Sequence, residues 1–155
     1  MTADGTIAAD DPRAPEVREL LAAHLAFAGE HTEPENIYAL DLSGLLDPAI
    51  EFFSYRVNGR LLAVGALKRL DAGHGELKSM HTNEAARGQG IGRAMLQHLI
   101  GIARDRGFRR LSLETGSSTG FAAARALYES AGFEPSAAFA DYPPSPTSTF
   151  MTLLL

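Results

Sequence analysis

The run Arg87-Gly88-Gln89-Gly90-Ile91-Gly92-Arg93 packs glycines between two arginines immediately before an apolar pattern of helical spacing: Ile91, Met95, Leu99, Ile102 and Ala103. Glycine permits the tight passage from strand to helix, and the first amides of a helix have no partner within it. Such amides donate to a phosphate group, with Arg87 and Arg93 adding charge-assisted contacts if they turn inward. The same residues also suit a purely structural turn. No Gly-x-x-x-x-Gly-Lys-Ser/Thr sequence occurs, and the run lacks the strand, helix and acidic residue of a dinucleotide-binding unit, which disfavours ATP hydrolysis and nicotinamide chemistry.

Two further segments extend the pattern: Glu76-Leu77-Lys78-Ser79-Met80-His81-Thr82 before the run and Ala126-Leu127-Tyr128-Glu129-Ser130-Ala131-Gly132-Phe133 after it. Together they resemble the GCN5-related N-acetyltransferase (GNAT) superfamily, whose Gln/Arg-x-x-Gly-x-Gly/Ala loop matches Arg87 to Gly92; the resemblance covers Ala14 through Leu155. It implies an α/β fold with a single mixed, mostly antiparallel central sheet flanked by helices, and acetyl-CoA as the acetyl donor. The implied cofactor contacts are the backbone of Arg87, Gly88, Gln89, Gly90 and Gly92 on the pyrophosphate, with Arg93 reinforcing it. Strand backbone at Met80 and Thr82 falls to the pantetheine arm. Many members carry an Asn early in the helix before the Leu-Tyr pair, whereas this chain has Phe121, preceded by Ser117, Ser118, Thr119 and Gly120.

Moving acetyl from sulfur to an amine requires a neutral amine, a polarised thioester carbonyl and a proton for the departing sulfur. Tyr128 holds the family's tyrosine position and is the candidate general acid. Glu76 is the preferred base or entrance to a proton relay, and His81 is a second candidate because imidazole titrates near neutral pH. Their plain readings are a core tyrosine, a solvated strand-end acid and a strand histidine. A backbone amide near Met80 or His81 suits the oxyanion. On the acceptor, Glu30, Glu33, Glu35 and Asp41 attract an amine, Phe52, Phe53 and Tyr55 offer walls, and Asp141 with Tyr142 are additional candidates. The expected acceptor is a small-molecule primary amine or a free amino acid, attacked directly. Peptide or protein N-acetylation and a noncatalytic acyl-CoA-binding regulator are the alternatives.

The elements that must hold these residues follow from periodicity and turn residues. A first helix is expected over Ala14 to Ala28 with Gly29 as its stop, and a second over Pro34 to Leu46, unless that interval is a substrate-covering loop. Strands are expected at Ile50 to Val57 and Arg60 to Leu70 around an Asn58-Gly59 hairpin turn, and at Glu76 to His81. Beyond the glycine run come a helix to Gly107, a strand at Leu111 to Thr115, a helix at Phe121 to Ala131 and a closing strand at Phe150 to Leu155. Residues 1–13 are expected to be a flexible leader to one domain spanning 14–155.

Composition bounds the rest. The 155 residues are 45% apolar and 21% charged, which suits one globular domain. With no Cys, the chain has no disulfide, thiol nucleophile or thiolate metal cluster. His24, His31, His74, His81 and His98 lack zinc-ligand spacing, so no metal is expected. The net charge of −5 divides into −9 over residues 1–54, +7 over 55–110 and −3 over the remainder. An anion is therefore favoured in the middle of the chain, whereas the Arg104, Arg106, Arg109 and Arg110 cluster lacks any nucleic-acid module. Neither a secretory signal nor a membrane span is evident, so a cytoplasmic protein without nucleic-acid or membrane partners is expected, with a homodimer left open.

Overall fold

A computed structural model describes residues 5–31, 45–140 and 142–155, the side chains of 24–31 excepted. Its elements are β1 (Gly5–Ala9), α1 (Pro15–His31), β2 (Ile50–Val57), β3 (Arg60–Asp71), β4 (His74–Thr82), α2 (Ile91–Asp105), β5 (Arg110–Gly116), α3 (Ala122–Ser130), β6 (Glu134–Pro135) and β7 (Ser148–Leu154). The strands form one sheet in the order β1-β2-β3-β4-β5-β7-β6, antiparallel throughout except where β4 and β5 run parallel. The second helix expected over Pro34 to Leu46 falls almost wholly outside the described residues.

Local chemistry accounts for the framework. Asn58 and Gly59 both take positive φ, 50° and 78°, and close the β2–β3 hairpin with the right-handed twist that such a turn preserves. Helix α2 buries Ile91, Met95, Leu96, Leu99, Ile100 and Ala103 as one stripe. It stops where Gly107 turns left-handed at φ 80°. There the Gly107 amide donates to Arg104 O at 3.0 Å and the Phe108 amide to Ala103 O at 3.1 Å, while the Phe108 ring is buried beneath the helix end.

Two expectations differ from the structure. Gly29 does not end α1, which runs on to His31: a glycine within a helix costs about 1 kcal/mol but stops it only in a left-handed turn. Within the segment expected to be a flexible leader, Gly5–Ala9 instead forms edge strand β1 on β2. The Asp10 carboxylate anchors its end, accepting from Ser54 Oγ and, at 2.9 Å, from Arg56 Nη2; the latter also reaches Glu16 of α1 at 2.8 Å.

The sheet separates two cores. Phe52 and Phe53 are neighbours on β2 and point to opposite faces: Phe52 packs with Val17, Leu20, Val64 and Ala66 beneath α1, and Phe53 packs with Met95, Leu99 and the α2 side. Register carries those faces across the molecule. Phe52 lies opposite Ala66, Ala66 opposite Lys78, and Glu76 opposite Ser112. A polar row comprising Glu76, Lys78, Ser112 and Glu114 therefore shares the α1 face, while Leu77, Leu113 and Met151 face α2 and α3. Leu99 is fully buried in the α2 core. Leu99→Ala is expected to lower the unfolding free energy by about 3 kcal/mol, read as a reduced urea midpoint at constant m-value.

Candidate active site

Strands β4 and β5 pair in register from His74↔Arg110 to Leu77↔Leu113 and then part, although β4 continues to Thr82 and β5 to Gly116. A cavity of about 670 Å³ opens at this divergence, large enough for an extended small-molecule ligand. Beyond Leu77, the edge of β4 that faces β5 presents backbone donors and acceptors to the cavity instead of to a neighbouring strand. The strand also bulges here: between Val64 and Ala66 of β3, β4 advances from His81 to Lys78, one residue too many, and Ser79 takes the positive φ of 55° that absorbs it. Ser79 Oγ is buried at this bulge without a hydrogen-bond partner.

The glycine run forms the opposite end of the cavity. Gly88 and Gly90 adopt φ of 78° and 79°, with nothing within 4 Å of the position a Cβ would take. Glycine is therefore required by backbone conformation, and the space in front of the turn stays open. Gly90 caps α2 without any side-chain hydrogen bond to the first turn, leaving its amides directed outward. Arg87, Gly88, Gly90, Gly92 and Arg93 line the cavity, as do Met80 and Thr82 from β4. Gln89 does not: its side-chain amide turns back towards Ala85 O at 3.5 Å. Arg87 Nε donates to Thr82 O at 3.3 Å and Arg93 Nη1 to Ser130 Oγ at 3.2 Å, so both guanidiniums brace the rim. Open left-handed turns, an uncapped helix end and a free strand edge together fit a phosphate-bearing, amide-rich arm such as that of acetyl-CoA.

Side chains around the midpoint supply the chemistry. Tyr128 of α3 lines the cavity but is 7% exposed, and burial together with the charge of Glu114 pushes its phenol well above the usual tyrosine range. Glu114 of β5 is mostly buried in the same cavity. Loss of solvent raises its carboxyl from an ordinary 4.5 to about 7, with Glu76 adding to the rise and the Ser148 hydroxyl and Lys78 opposing it. Glu76 is also in the cavity, 2% exposed, but its Oε2 accepts from both the Tyr142 hydroxyl and Lys78 Nζ, the latter at 3.0 Å. His81 lines the cavity as well.

Phe121 is an apolar wall of this pocket, its ring so close to Gly116 that a Cβ there would collide with it. The loop beneath is held by Arg125 Nη1, which donates to Gly116 O at 2.7 Å and Ser118 O at 2.9 Å. Phe52, Phe53 and Tyr55 are not walls of the cavity; they fill the two cores, as their burial on a central strand dictates. Glu30, Glu33, Glu35, Asp41 and Asp141 fall outside the described side chains. Reasoning from sequence missed Glu114 and Lys78. Each lies at an alternate position of a strand, the signature of a solvated face, and partners distant in sequence cover them there: Tyr142 over Lys78 and Ser148 beside Glu114.

A model of the acetyltransferase (GNAT) family matches residues 14–133. The chain is 46% identical over 143 residues to the N-acetyltransferase YsnE of Bacillus subtilis, itself uncharacterized, covering 92% of this chain and 95% of that protein. It superposes with a TM-score of 0.84 and 34% identity on a Klebsiella pneumoniae protein described as an acyl-CoA N-acyltransferase, covering 99% of both. A GNAT acetyltransferase of Elizabethkingia anophelis, solved with acetyl-CoA bound, shares the fold at a TM-score of 0.75 and 18% identity over 99% of this chain and all of that one.

A raised carboxyl has a thermodynamic signature. The Glu114 side-chain carbon, followed by NMR, is expected to titrate with a midpoint near 7. Because the folded value exceeds the unfolded one, the associated stabilisation is complete below pH 4.5 and lost as pH rises through about 7. Glu114→Gln is therefore expected to gain on the order of 2–3 kcal/mol relative to the parent above pH 7 and nothing below pH 4.5, measured by chemical denaturation across pH.

Proposed function

The chain belongs to the GNAT acetyltransferase family, and on that premise we propose that it acetylates the primary amine of a small molecule or free amino acid by direct transfer from acetyl-CoA. The observation that carries the reading is the parting of β4 and β5 after Leu77 and Leu113, which brings Glu114 and Tyr128 to one cavity from two elements. Acetyl-CoA, when bound, supplies an acetyl group activated as a thioester. The glycine turn from Gly88 to Gly92 would hold its pyrophosphate, and strand backbone at Met80 and Thr82 would hold its arm.

Glu114 takes the proton of the incoming ammonium. A carboxyl poised near 7 is divided between its two forms at neutral pH, so it accepts a proton without being saturated or inert. This differs from the role expected of Glu76, whose carboxylate is engaged by Tyr142 and Lys78 and positions both. A backbone amide near Met80 or His81 polarises the acetyl carbonyl. Tyr128 protonates the departing sulfur, a task suited to a phenol that its surroundings keep protonated. Tyr142, its ring braced by Phe139 at 5.2 Å, lines the acceptor side and favours a compact amine over an extended peptide.

Incubation with acetyl-CoA and an amine panel, with mass detection of products, is expected to yield N-acetylated small molecules and free CoA; CoA binding without product would leave only an acyl-CoA-binding role. Tyr128→Phe is expected to lower kcat about 100-fold or more while the CoA Kd stays within about twofold, and undiminished turnover would remove the acid role. The ascending limb of kcat/KM near pH 7 is expected to vanish in Glu114→Gln and to persist in Glu76→Gln. The reverse pattern would return proton acceptance to Glu76.

A further inference from the structure

The acceptor side of the cavity holds a cation that the transfer chemistry leaves unused. Lys78 lines the cavity with its side chain only 9% exposed. Its ammonium donates to Glu76 Oε2 at 3.0 Å and to the Tyr142 hydroxyl at 2.8 Å. An ammonium carries three donors, and two are committed among these bonds. Lys78 is also held in place: its Nζ lies 5.4 Å from the centre of the Tyr142 ring, which packs against Phe139 and Phe150 at 5.2 and 5.8 Å. Glu76, which accepts from Tyr142 as well as from Lys78, is satisfied without monopolising the lysine.

Glu114 faces the same cavity from the adjoining strand, so the acceptor side presents a carboxyl on β5 and an ammonium on β4. That pairing is the electrostatic complement of a zwitterion. We propose that Lys78 binds a carboxylate of the acceptor while its amine is directed to Glu114, making the substrate class amines that carry a carboxylate, free amino acids foremost. The proposal rests on the acetyltransferase reading for the amine's fate, but the carboxylate site stands on the geometry of Lys78, Glu76 and Tyr142. A buried charge-assisted contact of this kind discriminates strongly against an analogue that lacks the anion, because the lysine then loses a partner that water replaces poorly.

The test compares L-phenylalanine with phenethylamine and L-leucine with isoamylamine, each with acetyl-CoA. It is paired with calorimetric titration of N-acetyl-L-phenylalanine and N-acetylphenethylamine into the CoA-loaded protein. The parent is expected to favour each amino acid about tenfold to hundredfold in kcat/KM and to bind the acetylated acid more tightly than its decarboxylated counterpart. Lys78→Met combined with Glu76→Gln, which removes both charges of the buried pair together, is expected to reduce the preference to near unity, mainly through KM for the amino acid. Lys78→Arg is expected to restore part of it. Circular dichroism checks folding, and Tyr142→Phe, which keeps the charge pair, gives a milder variant expected to weaken the preference only partly. Acetylation without preference for the carboxylate, or a preference that survives loss of Lys78, would overturn the proposal while leaving the transfer reading intact. Lys78-dependent binding of the acid without acetylation of any amine would uphold the site and overturn the transfer reading. Absence of both would overturn the proposal.

Discussion

Two strands that begin as hydrogen-bonded parallel neighbours and then separate determine what this molecule can do. Parallel strands are ordinarily locked over their length, because every unpaired amide or carbonyl removed from water costs free energy. Here the ladder from His74 to Leu77 ends while both strands persist, which leaves backbone groups of β4 available to something other than β5. The bulge at Ser79 contributes by inserting a residue, twisting the strand and changing which side chains face the gap. A ligand with amides along its length is the natural partner for such an edge. The glycine turn at the top of α2, with no side-chain cap on its first amides, borders the same space and suits a ligand's anionic end.

Charge in the gap is arranged by burial. Glu76, Lys78 and Glu114 occupy one face of the sheet, yet their environments differ. Glu76 has a cation and a phenol on one oxygen, and both bonds occupy it. Glu114 has burial without comparable compensation, and its proton is held to about 7. Two acids with nearly the same address in sequence pattern thus have different surroundings, separated by which of them Tyr142 reaches.

That separation explains how much was legible in the sequence. The Asn58-Gly59 turn, the stripe of α2 and the glycine run are local signals, each fixed by the conformational needs of a few adjacent residues, and the structure has each where its pattern places it. Tyr128 was legible through resemblance. β1 was not, because the short Gly5–Ala9 segment carries no periodic signal of its own and becomes a strand only where β2 offers a free edge. Glu114 was hidden for a related reason: in Leu111-Ser112-Leu113-Glu114 the alternation reads as a half-solvated strand, and enclosure comes from residues more than twenty positions away. Gln89 sits inside the matched motif but turns from the cavity, since a motif records the backbone the turn needs and not the direction of each side chain in it.

The two proposed proton-transfer groups also constrain one another. Burial raises Tyr128 first, and the negative charge of Glu114 raises it further, so the phenol is at its most reluctant to release a proton while Glu114 is ionised. Once Glu114 has accepted the amine's proton, its charge is gone and that part of the reluctance goes with it. The phenol becomes the better donor after the base has acted, when the sulfur needs a proton. In the proposed transfer a single buried carboxyl would thereby order the two proton movements by electrostatics, an ordering that depends on both groups sharing the low-dielectric gap that the parted strands create.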